Sequence, residues 1–411
     1  MNLSSFIATR IAFNQQKSFS RFIIRLSTVA TIISVTVMII TLSFVNGFQD
    51  TVSQKVFSFW GHVRVQYRQP MKANIAEEIP IYKNDSLYDA IKAMPSVASV
   101  HPFATKYAIL KTTDEMEGVL LKGFDSSYTF KNLAPFLIQG RWINYNDSTY
   151  SREIVLSEGT AKQLHLKLND RILIYFVRPD GRLRPDKLTI VGIYKTSIDE
   201  YDKTFAIGDI KLIRRLNNWR DDEIGGYEIF LNDYDRMDET SSAIFNRADF
   251  PQLWETKTVR EIYPNIFDWL NIVSYNGDIL IIIVTLIVAI NFITCLIILV
   301  LERVRMIGIL KAIGATDWMV QKIFLYHSAL ITITGVVVGT LLSLGLMWLQ
   351  IKTGFVKLKE TEYYMQTAAV QINWWQIGAV VLGTLIISIL VLLIPSLLVR
   401  RIQPIKAIRF S

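Results

Sequence analysis

The chain of 411 residues has a single cysteine, Cys295, and few charged residues for its length. One cysteine excludes a disulfide-stapled scaffold, a thiolate zinc site and a C-x-x-C redox centre. Only 19% of the residues are charged and 51% are hydrophobic, whereas soluble domains carry roughly 25% charged residues. With 12% aromatic residues, so little charge also excludes an extended disordered chain. The composition predicts that part of the chain lies in lipid.

Four runs without Asp, Glu, Lys or Arg are long enough to cross a bilayer, which needs about 20 apolar residues. A charge at mid-membrane costs about 2.5–3.5 kcal/mol, so uncharged runs of this length are rare in soluble cores. One run could instead be a buried soluble helix, or the first a cleaved signal peptide. The 25 residues before the first run and its lack of a small-x-small site favour a retained anchor. The predicted spans are Leu26–Gln49, Ile279–Leu301, Ile323–Ile351 and Trp375–Val399.

Basic residues are concentrated in residues 1–25, 302–322 and 400–411, which hold 12 of the 44 basic and 2 of the 36 acidic residues. Short cytoplasmic loops are rich in Lys and Arg, so both termini and the 302–322 loop are predicted to be cytoplasmic. The net charge of +8 then reflects topology and attraction to membrane lipids. Nucleic acid is not an expected partner. Residues 51–274 are left on the outer side, enough for a folded domain.

This outer region is predicted to be a mixed α+β domain. Alternation of polar and apolar residues indicates strands, helical periodicity indicates helices, and Gly-containing turns separate them. The predicted strands are His62–Tyr67, Val97–Lys111, Glu153–Leu156, Arg171–Val177 and Leu188–Tyr194, and the predicted helices are Ser86–Met94, Glu158–Leu164 and Asp209–Leu216.

The flanks of the spans predict helices that extend beyond the membrane as stalks. Apolar residues continue at helical spacing as far as Phe59 after the first span and start at Ile262 before the second, where Pro264 suits a helical first turn. The third run of 29 residues would form a helix about 44 Å long against a hydrocarbon core of about 30 Å. Interfacial amphipathic helices are the alternative. Residues 1–22 mix apolar and basic side chains, which indicates an interfacial helix or a disordered tail.

No catalytic constellation is present in the sequence. The four histidines are far apart, and there is no H-E-x-x-H pair, G-x-S-x-G elbow or phosphate-binding loop. Asp199, Glu200 and Asp202 could hold Ca²⁺, but the alternative is a solvated loop, because calcium needs six or more converging oxygens. The spans contain no carboxylate, which disfavours an ion-coupled transporter.

Small and polar residues inside the spans predict contacts between helices. Gly335 and Gly339 form a G-x-x-x-G pair that lets another helix approach closely, either in a second copy or as ordinary packing. Asn291 and Thr294 could form hydrogen bonds across helices.

The 302–315 connection predicts a short helix that ends at Gly314, a residue suited to a left-handed cap. Met306, Ile309, Leu310 and Ile313 are expected to share one apolar face. That face must be buried against lipid headgroups or against a protein partner.

Residues 302–315 read E-R-V-R-M-I-G-I-L-K-A-I-G-A. This segment resembles the signature E-R-x-R-E-I-G-I-L-K-A-I-G-A of a known permease family. The family includes the LolC/LolE-type lipoprotein-releasing permeases, the exporter MacB and the cell-division protein FtsX. The match fails only at Met306. Residues 42–48, L-S-F-V-N-G-F, are similar to L-S-V-M-N-G-F of the lipoprotein-releasing group. Residues 190–202 resemble that group's V-V-G-I-F…E-x-D, and residues 395–409 resemble its closing P-A-x-x-A-S-R-I-x-P-x-x-A-L-R.

The resemblance implies an ABC transporter permease with four transmembrane helices, extended stalks and a large α+β periplasmic domain between the first two spans, in the bacterial inner membrane. It implies a separate ATPase dimer that binds ATP and Mg²⁺, a second permease as homodimer or heterodimer partner, and a lipoprotein substrate. No catalytic residue, metal or cofactor is expected on this chain, and no substrate-binding residue is assigned.

Segment 303–314 would be a coupling helix that transmits ATPase movement to the stalks. The residues implied in ATPase coupling are Glu302, Arg303, Arg305, Ile307, Gly308, Ile309, Lys311 and Gly314, and those implied in helix packing are Gly335 and Gly339.

Other functions within and outside this family stay open. A regulator of cell-wall hydrolases would share the fold but has a smaller outer domain, and the exporter branch has a fused ATPase. A membrane-tethered enzyme with its site in the outer domain is the remaining alternative.

The predicted segments are residues 1–22 (interfacial helix), 23–49 (span), 50–274 (periplasmic domain with stalk ends), 275–301 (span), 302–318 (coupling helix), 319–351 (span), 352–374 (periplasmic loop), 375–399 (span) and 400–411 (cytoplasmic tail).

Overall fold

The computed structural model describes residues 19–69, 77–145, 149–177 and 182–396. The predicted tail 400–411 and nearly all of the predicted interfacial helix 1–22 lie outside these residues. The helices are α1 Phe19–Trp60, α2 Asp85–Lys92, α3 Glu158–Gln163, α4 Asp199–Thr204, α5 Ile210–Asn217, α6 Met237–Phe245, α7 Val259–Ile262, α8 Pro264–Glu302, α9 Val304–Ala312, α10 Asp317–Thr353, α11 Glu360–Tyr363 and α12 Trp374–Ser396. The strands are β1 Val63–Tyr67, β2 Ile81–Tyr82, β3 Val97–Lys111, β4 Met116–Phe124, β5 Leu137–Gly140, β6 Glu153–Ser157, β7 Arg171–Val177, β8 Leu183–Tyr194, β9 Phe205–Asp209, β10 Glu223–Ile224, β11 Gly226–Leu231 and β12 Trp254–Thr258.

Four helices, α1, α8, α10 and α12, are long and apolar enough to cross a membrane. Helix α1 has 42 residues and α8 has 39, so each is about 60 Å long, roughly twice a hydrocarbon core. Both are unbroken, so the flanking apolar residues belong to the span helices, except Ile262, which is the last residue of the short helix α7. Pro264 is the first residue of α8, and Gly61, at φ 68°, follows the end of α1 in a conformation that favours glycine.

The chain divides into two compact units, which are described separately. The helical unit comprises Met1–Gln49, Leu270–Lys357 and Thr367–Ser411, and the sheet unit comprises Asp50–Trp269 and Leu358–Gln366. The second segment of the sheet unit therefore comes from the connection between α10 and α12.

The sheet unit is built on one mixed sheet with the strand order β12-β1-β11-β3-β4-β9-β6-β8-β5, and β7 pairs with both β3 and β8. Strand pairs β4–β9 and β6–β8 are parallel, and the other pairs in this sheet are antiparallel. Strands β2 and β10 form a separate antiparallel pair. The fold class predicted from the sequence, four membrane helices with an α+β domain between the first two, is confirmed.

The helical unit is held by two apolar clusters and a few polar contacts. One cluster joins α8, α9 and α10, and the other joins α1, α10 and α12. Ser27 Oγ donates to Asn291 Oδ1 at 2.9 Å, which links α1 to α8. The expectation for Thr294 is wrong, because its hydroxyl donates to the Ile290 carbonyl of its own helix at 2.9 Å. A threonine in a helix satisfies its hydroxyl this way without a second helix.

The G-x-x-x-G pair of α10 lies against α1 of the same chain. A Cβ added at Gly335 would lie 2.7 Å from Thr31 Cγ2, and one at Gly339 would lie 2.9 Å from the Ile32 carbonyl oxygen. Thr36 Oγ1 donates to the Gly339 carbonyl at 3.1 Å. This glycine face is therefore occupied within the chain, and larger side chains would push the two helices apart.

Candidate functional site

Helix α9 connects two of the span helices and is bounded by two sharp turns. Helix α8 ends at Glu302, and Arg303 leaves helical geometry before α9 begins. At the other end Gly314 adopts φ 96°, its N–H donates to the Lys311 carbonyl at 3.1 Å, and the Ala315 N–H donates to the Leu310 carbonyl at 2.9 Å. These two bonds form a Schellman cap. The glycine therefore fixes where α9 stops and where the chain turns into α10.

One side of α9 is fixed by packing within the chain. Ile307 is fully buried in the cluster formed by α8 and α10, and Met306 and Leu310 pack against that cluster. Gly308 is also buried. Lys311 Nζ lies 2.8 Å from Asp317 Oδ1 at the start of α10. Methionine at position 306 thus makes an apolar contact where the family signature has glutamate.

The opposite side of α9 is exposed and partly apolar. Ile309 and Ile313 are 55% and 76% exposed. Met306 and Leu310 lie on the adjoining part of the same apolar face, as their spacing predicts, but they are half-buried against the α8–α10 cluster. The buried side is centred on Ile307, and Ile309 is two residues further along, about 200° around the helix. Arg305 lies on this exposed side together with Ile309 and Ile313.

The residues implied in ATPase coupling are thus divided between the two sides of α9. Glu302, Arg305, Ile309 and Gly314 are exposed. Arg303 and Lys311 are half-buried, and Ile307 and Gly308 are buried. The exposed members are accessible to another protein, whereas the buried Ile307 and Gly308 support the helix and do not form its outer surface.

Acidic residues of the predicted cluster in the sheet unit bind other residues of the same chain. Asp202 Oδ1 accepts hydrogen bonds from the Thr196 backbone N–H at 3.0 Å and from the Thr196 hydroxyl at 2.7 Å, and Asp202 Oδ2 accepts from the Ser197 N–H at 3.1 Å. Asp199 pairs with Lys203 at 3.2 Å. Burial raises the pKa of Asp202 above its usual value. Within the described residues, no group of three His, Cys, Asp or Glu side chains could hold a metal ion.

A buried charged cluster at the end of α1 was not predicted from the sequence. Lys122 and Glu228 are both 0% exposed at their side chains, and Lys122 Nζ lies 2.7 Å from Glu228 Oε1. Lys122 Nζ also donates to the Phe59 carbonyl at 2.5 Å, in the last turn of α1, and lies 4.1 Å from the Trp60 ring centroid. Arg64 lies 3.8 Å from the same carboxylate.

This cluster joins α1 to the middle of the sheet. A cation near a helix C-terminus interacts favourably with the helix dipole, and a buried charge needs an opposite charge beside it. Burial lowers the pKa of Lys122 to about 8, although Glu228 opposes this shift. The sequence signals were a lysine within the apolar run 119–124 and a glutamate within 226–231, but nothing in them indicated that the two side chains pair.

His62 lies close to the same helix end. Its Nδ1 accepts a hydrogen bond from the Leu231 N–H at 3.0 Å, and its ring lies 4.5 Å from that of Phe57. Burial lowers the pKa of His62 to about 4, so the ring is neutral at physiological pH. These features describe a packed core histidine and not a proton-transfer site.

The architecture defines a membrane protein with four spans, a large α+β domain between the first two, and a short helix with an exposed apolar stripe between the second and third. Residues 279–404 match the FtsX-like permease C-terminal domain, and residues 26–245, more than half of the chain, match the MacB-like periplasmic core domain. The chain belongs to this family of ABC transporter permeases, and its sheet unit contains most of the residues that match the periplasmic core domain.

The chain is similar to lipoprotein-releasing permeases along its whole length. It is 22% identical to the lipoprotein-releasing system transmembrane protein LolE of Haemophilus influenzae over 98% of both chains. It is also 22% identical to LolC of Neisseria meningitidis serogroup B over 100% of both chains. Among solved structures, the periplasmic region of MacB from Actinobacillus actinomycetemcomitans is 13% identical over 50% of this chain and 92% of that one, with a TM-score of 0.35. The predicted family is confirmed by the domain matches.

Proposed function

We propose that this chain is the permease subunit of an ABC transporter that releases lipoproteins from the bacterial inner membrane. The observation that carries the proposal is the alignment with LolE and LolC over 98–100% of each chain, because it includes the spans, the periplasmic domain and α9 together. The substrate is therefore a lipid-modified protein taken from the outer leaflet. A second permease, identical or homologous, completes the membrane part.

Helix α9 is the site at which a separate ATPase dimer binds in this proposal. Both termini and α9 are cytoplasmic, in line with the basic residues around them. Ile309 and Ile313 are exposed on this chain, and an apolar helix stripe of this kind fits a groove in a protein partner. ATP and Mg²⁺ belong to that partner, and this chain binds no cofactor itself.

The proposed mechanism is a transfer of movement across the membrane. Closure of the ATPase dimer around ATP displaces α9, and the buried side chain of Ile307 passes this displacement to α8 and α10. Long unbroken helices carry the displacement to the periplasmic domain, which acts on the lipoprotein. No channel through the bilayer is required.

Copurification tests the ATPase contact. We expect the double variant Ile309→Ala/Ile313→Ala to lose at least tenfold of the copurifying ATPase subunit, since about 1.4 kcal/mol of lost binding already corresponds to tenfold. The matched control is Ile283→Ala/Ile287→Ala, which removes two isoleucines of similar exposure and the same spacing from α8. Wild-type protein that purifies without any nucleotide hydrolase would contradict the proposal.

Cysteine labelling tests the topology. In a Cys295→Ser background, Ala312→Cys places a thiol on the exposed part of α9, and Ala243→Cys places one on the surface of the periplasmic domain. A membrane-impermeant maleimide should label position 243 in intact spheroplasts and position 312 only after lysis. The opposite result would put α9 on the wrong side of the membrane.

Depletion distinguishes the candidate functions. Loss of a lipoprotein-releasing permease should leave lipoproteins in the inner membrane. A regulator of cell-wall hydrolases would produce division or cell-wall defects without that accumulation, and an exporter would change sensitivity to its own substrate.

A further inference from the structure

The segment Leu358–Gln366, between α10 and α12 in sequence, is part of the sheet unit. The Leu358 N–H donates to the Gln366 carbonyl at 3.0 Å and closes the segment at its base. Inside it lie α11 and Tyr364, which adopts φ 57° although it is not glycine. Such a conformation persists only where surrounding contacts fix it. We call this segment the clamp.

The clamp is bound to the sheet through an ion pair. Glu360 lies 2.9 Å from Lys195 Nζ, and Lys195 follows the last residue of β8. Lys195 also lies 3.6 Å from Glu158 at the start of α3, so one lysine serves two carboxylates. The hydrogen bond from Lys195 to Glu360 raises the pKa of the lysine.

Two further contacts bind the clamp to the helices that lead into the sheet unit. Lys55 Nζ of α1 donates to the Tyr364 carbonyl at 2.6 Å. The ring of Trp269, on α8, meets the Tyr364 ring edge-on at a centroid distance of 5.5 Å. Met365 beside them is buried. The clamp, a segment of nine residues, thus contacts α1, α8 and the end of β8.

We infer that the clamp holds α1, α8 and the sheet in one arrangement, and that Lys195 and Lys55 are positioning residues for lipoprotein release. This inference rests on the proposed function. Because the clamp is joined covalently to α10 on one side and to α12 on the other, a displacement of these helices reaches the sheet unit through it. Without the clamp contacts, ATP hydrolysis would continue while its movement reached the sheet through α1 and α8 alone.

The test is a charge reversal and its exchange partner, in the full complex with its ATPase in proteoliposomes. Glu360→Lys places two lysines together and should lower the lipoprotein released per ATP hydrolysed by about fivefold, the lower end of typical coupling effects. Lys195→Glu combined with Glu360→Lys again gives one basic and two acidic side chains, including Glu158, and should restore most of the ratio. Lys55→Met should lower the ratio in the same direction.

The matched control is Glu362→Lys, the same reversal two residues away, where the carboxylate is exposed and pairs with Lys359 inside the clamp. It should leave the ratio unchanged. A Glu360→Lys complex with a wild-type ratio, or a double exchange that restores nothing, would overturn the inference. A wild-type complex that hydrolyses ATP but releases no lipoprotein would instead overturn the proposed function, so the two failures are distinguishable.

Discussion

Two lysine–glutamate pairs hold the sheet unit together at different places, and they differ in their access to water. Lys122 and Glu228, at the end of α1, are both fully buried. Lys195 and Glu360, at the clamp, keep 29% and 23% of their side chains exposed. A buried pair cannot exchange its partner for water without a large cost, whereas a half-exposed pair can open and re-form. The Lys122–Glu228 pair therefore suits a permanent structural contact. The Lys195–Glu360 pair suits a contact that opens and re-forms while the protein moves.

The largest expected effect comes from breaking the buried pair. Lys122→Met leaves Glu228 buried without its nearest cation and should lower the free energy of unfolding by about 3–5 kcal/mol. The double variant Lys122→Met/Glu228→Gln removes both charges and should recover most of this loss. Thermal unfolding of the purified full-length protein in detergent measures both variants. A single variant as stable as wild type would contradict the view that this pair is a structural joint.

Acid should destabilise the same region through His62. Its pKa is about 4 when folded and 6.5 when unfolded, so the unfolded chain binds the proton more tightly between these values. The free energy of unfolding keeps its full value above pH 6.5 and falls as the pH drops from 6.5 towards 4. At pH 5 it should be lower by about 2 kcal/mol. His62→Asn keeps an acceptor for the Leu231 N–H and should reduce this loss. The control His165→Asn, at an exposed position, should keep the full acid sensitivity.

The smallest effect on stability is expected at the clamp. Lys195→Met removes a half-exposed ion pair and should lower the free energy of unfolding by less than about 1 kcal/mol, while lipoprotein release per ATP falls. The same unfolding measurement and the transport assay together check this. A loss of stability as large as that of Lys122→Met would erase the distinction between the two pairs.

Some strands of the sheet were predictable from the sequence, and others were not. Strands β3 and β7 begin and end at the predicted residues, and β7 alternates between buried and less buried positions. Strands β9 and β11 are buried at every residue, so their sequences have no alternation and were missed. Strands buried on both faces give this continuous pattern, which sequence periodicity cannot separate from other buried segments.

The site residues were predictable only as far as local sequence determines them. The C-terminal end of α9 follows from Gly314, whose positive φ is a local property. The exposed part of α9 depends on which side packs against α8 and α10. The sequence pattern grouped Met306 and Leu310 with the exposed Ile309 and Ile313, although the first two pack beside the buried Ile307. The Lys122–Glu228 and Lys195–Glu360 pairs join residues more than 100 positions apart. One sequence contains no information about such pairings.

Lipoprotein release by the purified complex tests the proposed function. Proteoliposomes containing this chain, its copurifying ATPase and a labelled lipoprotein are incubated with ATP and periplasmic extract, and soluble lipoprotein is measured. We expect release that requires ATP hydrolysis and is lost when Ile309 and Ile313 are replaced by alanine. Release that continues at the wild-type rate without ATP, or with both isoleucines replaced, would contradict the proposed function.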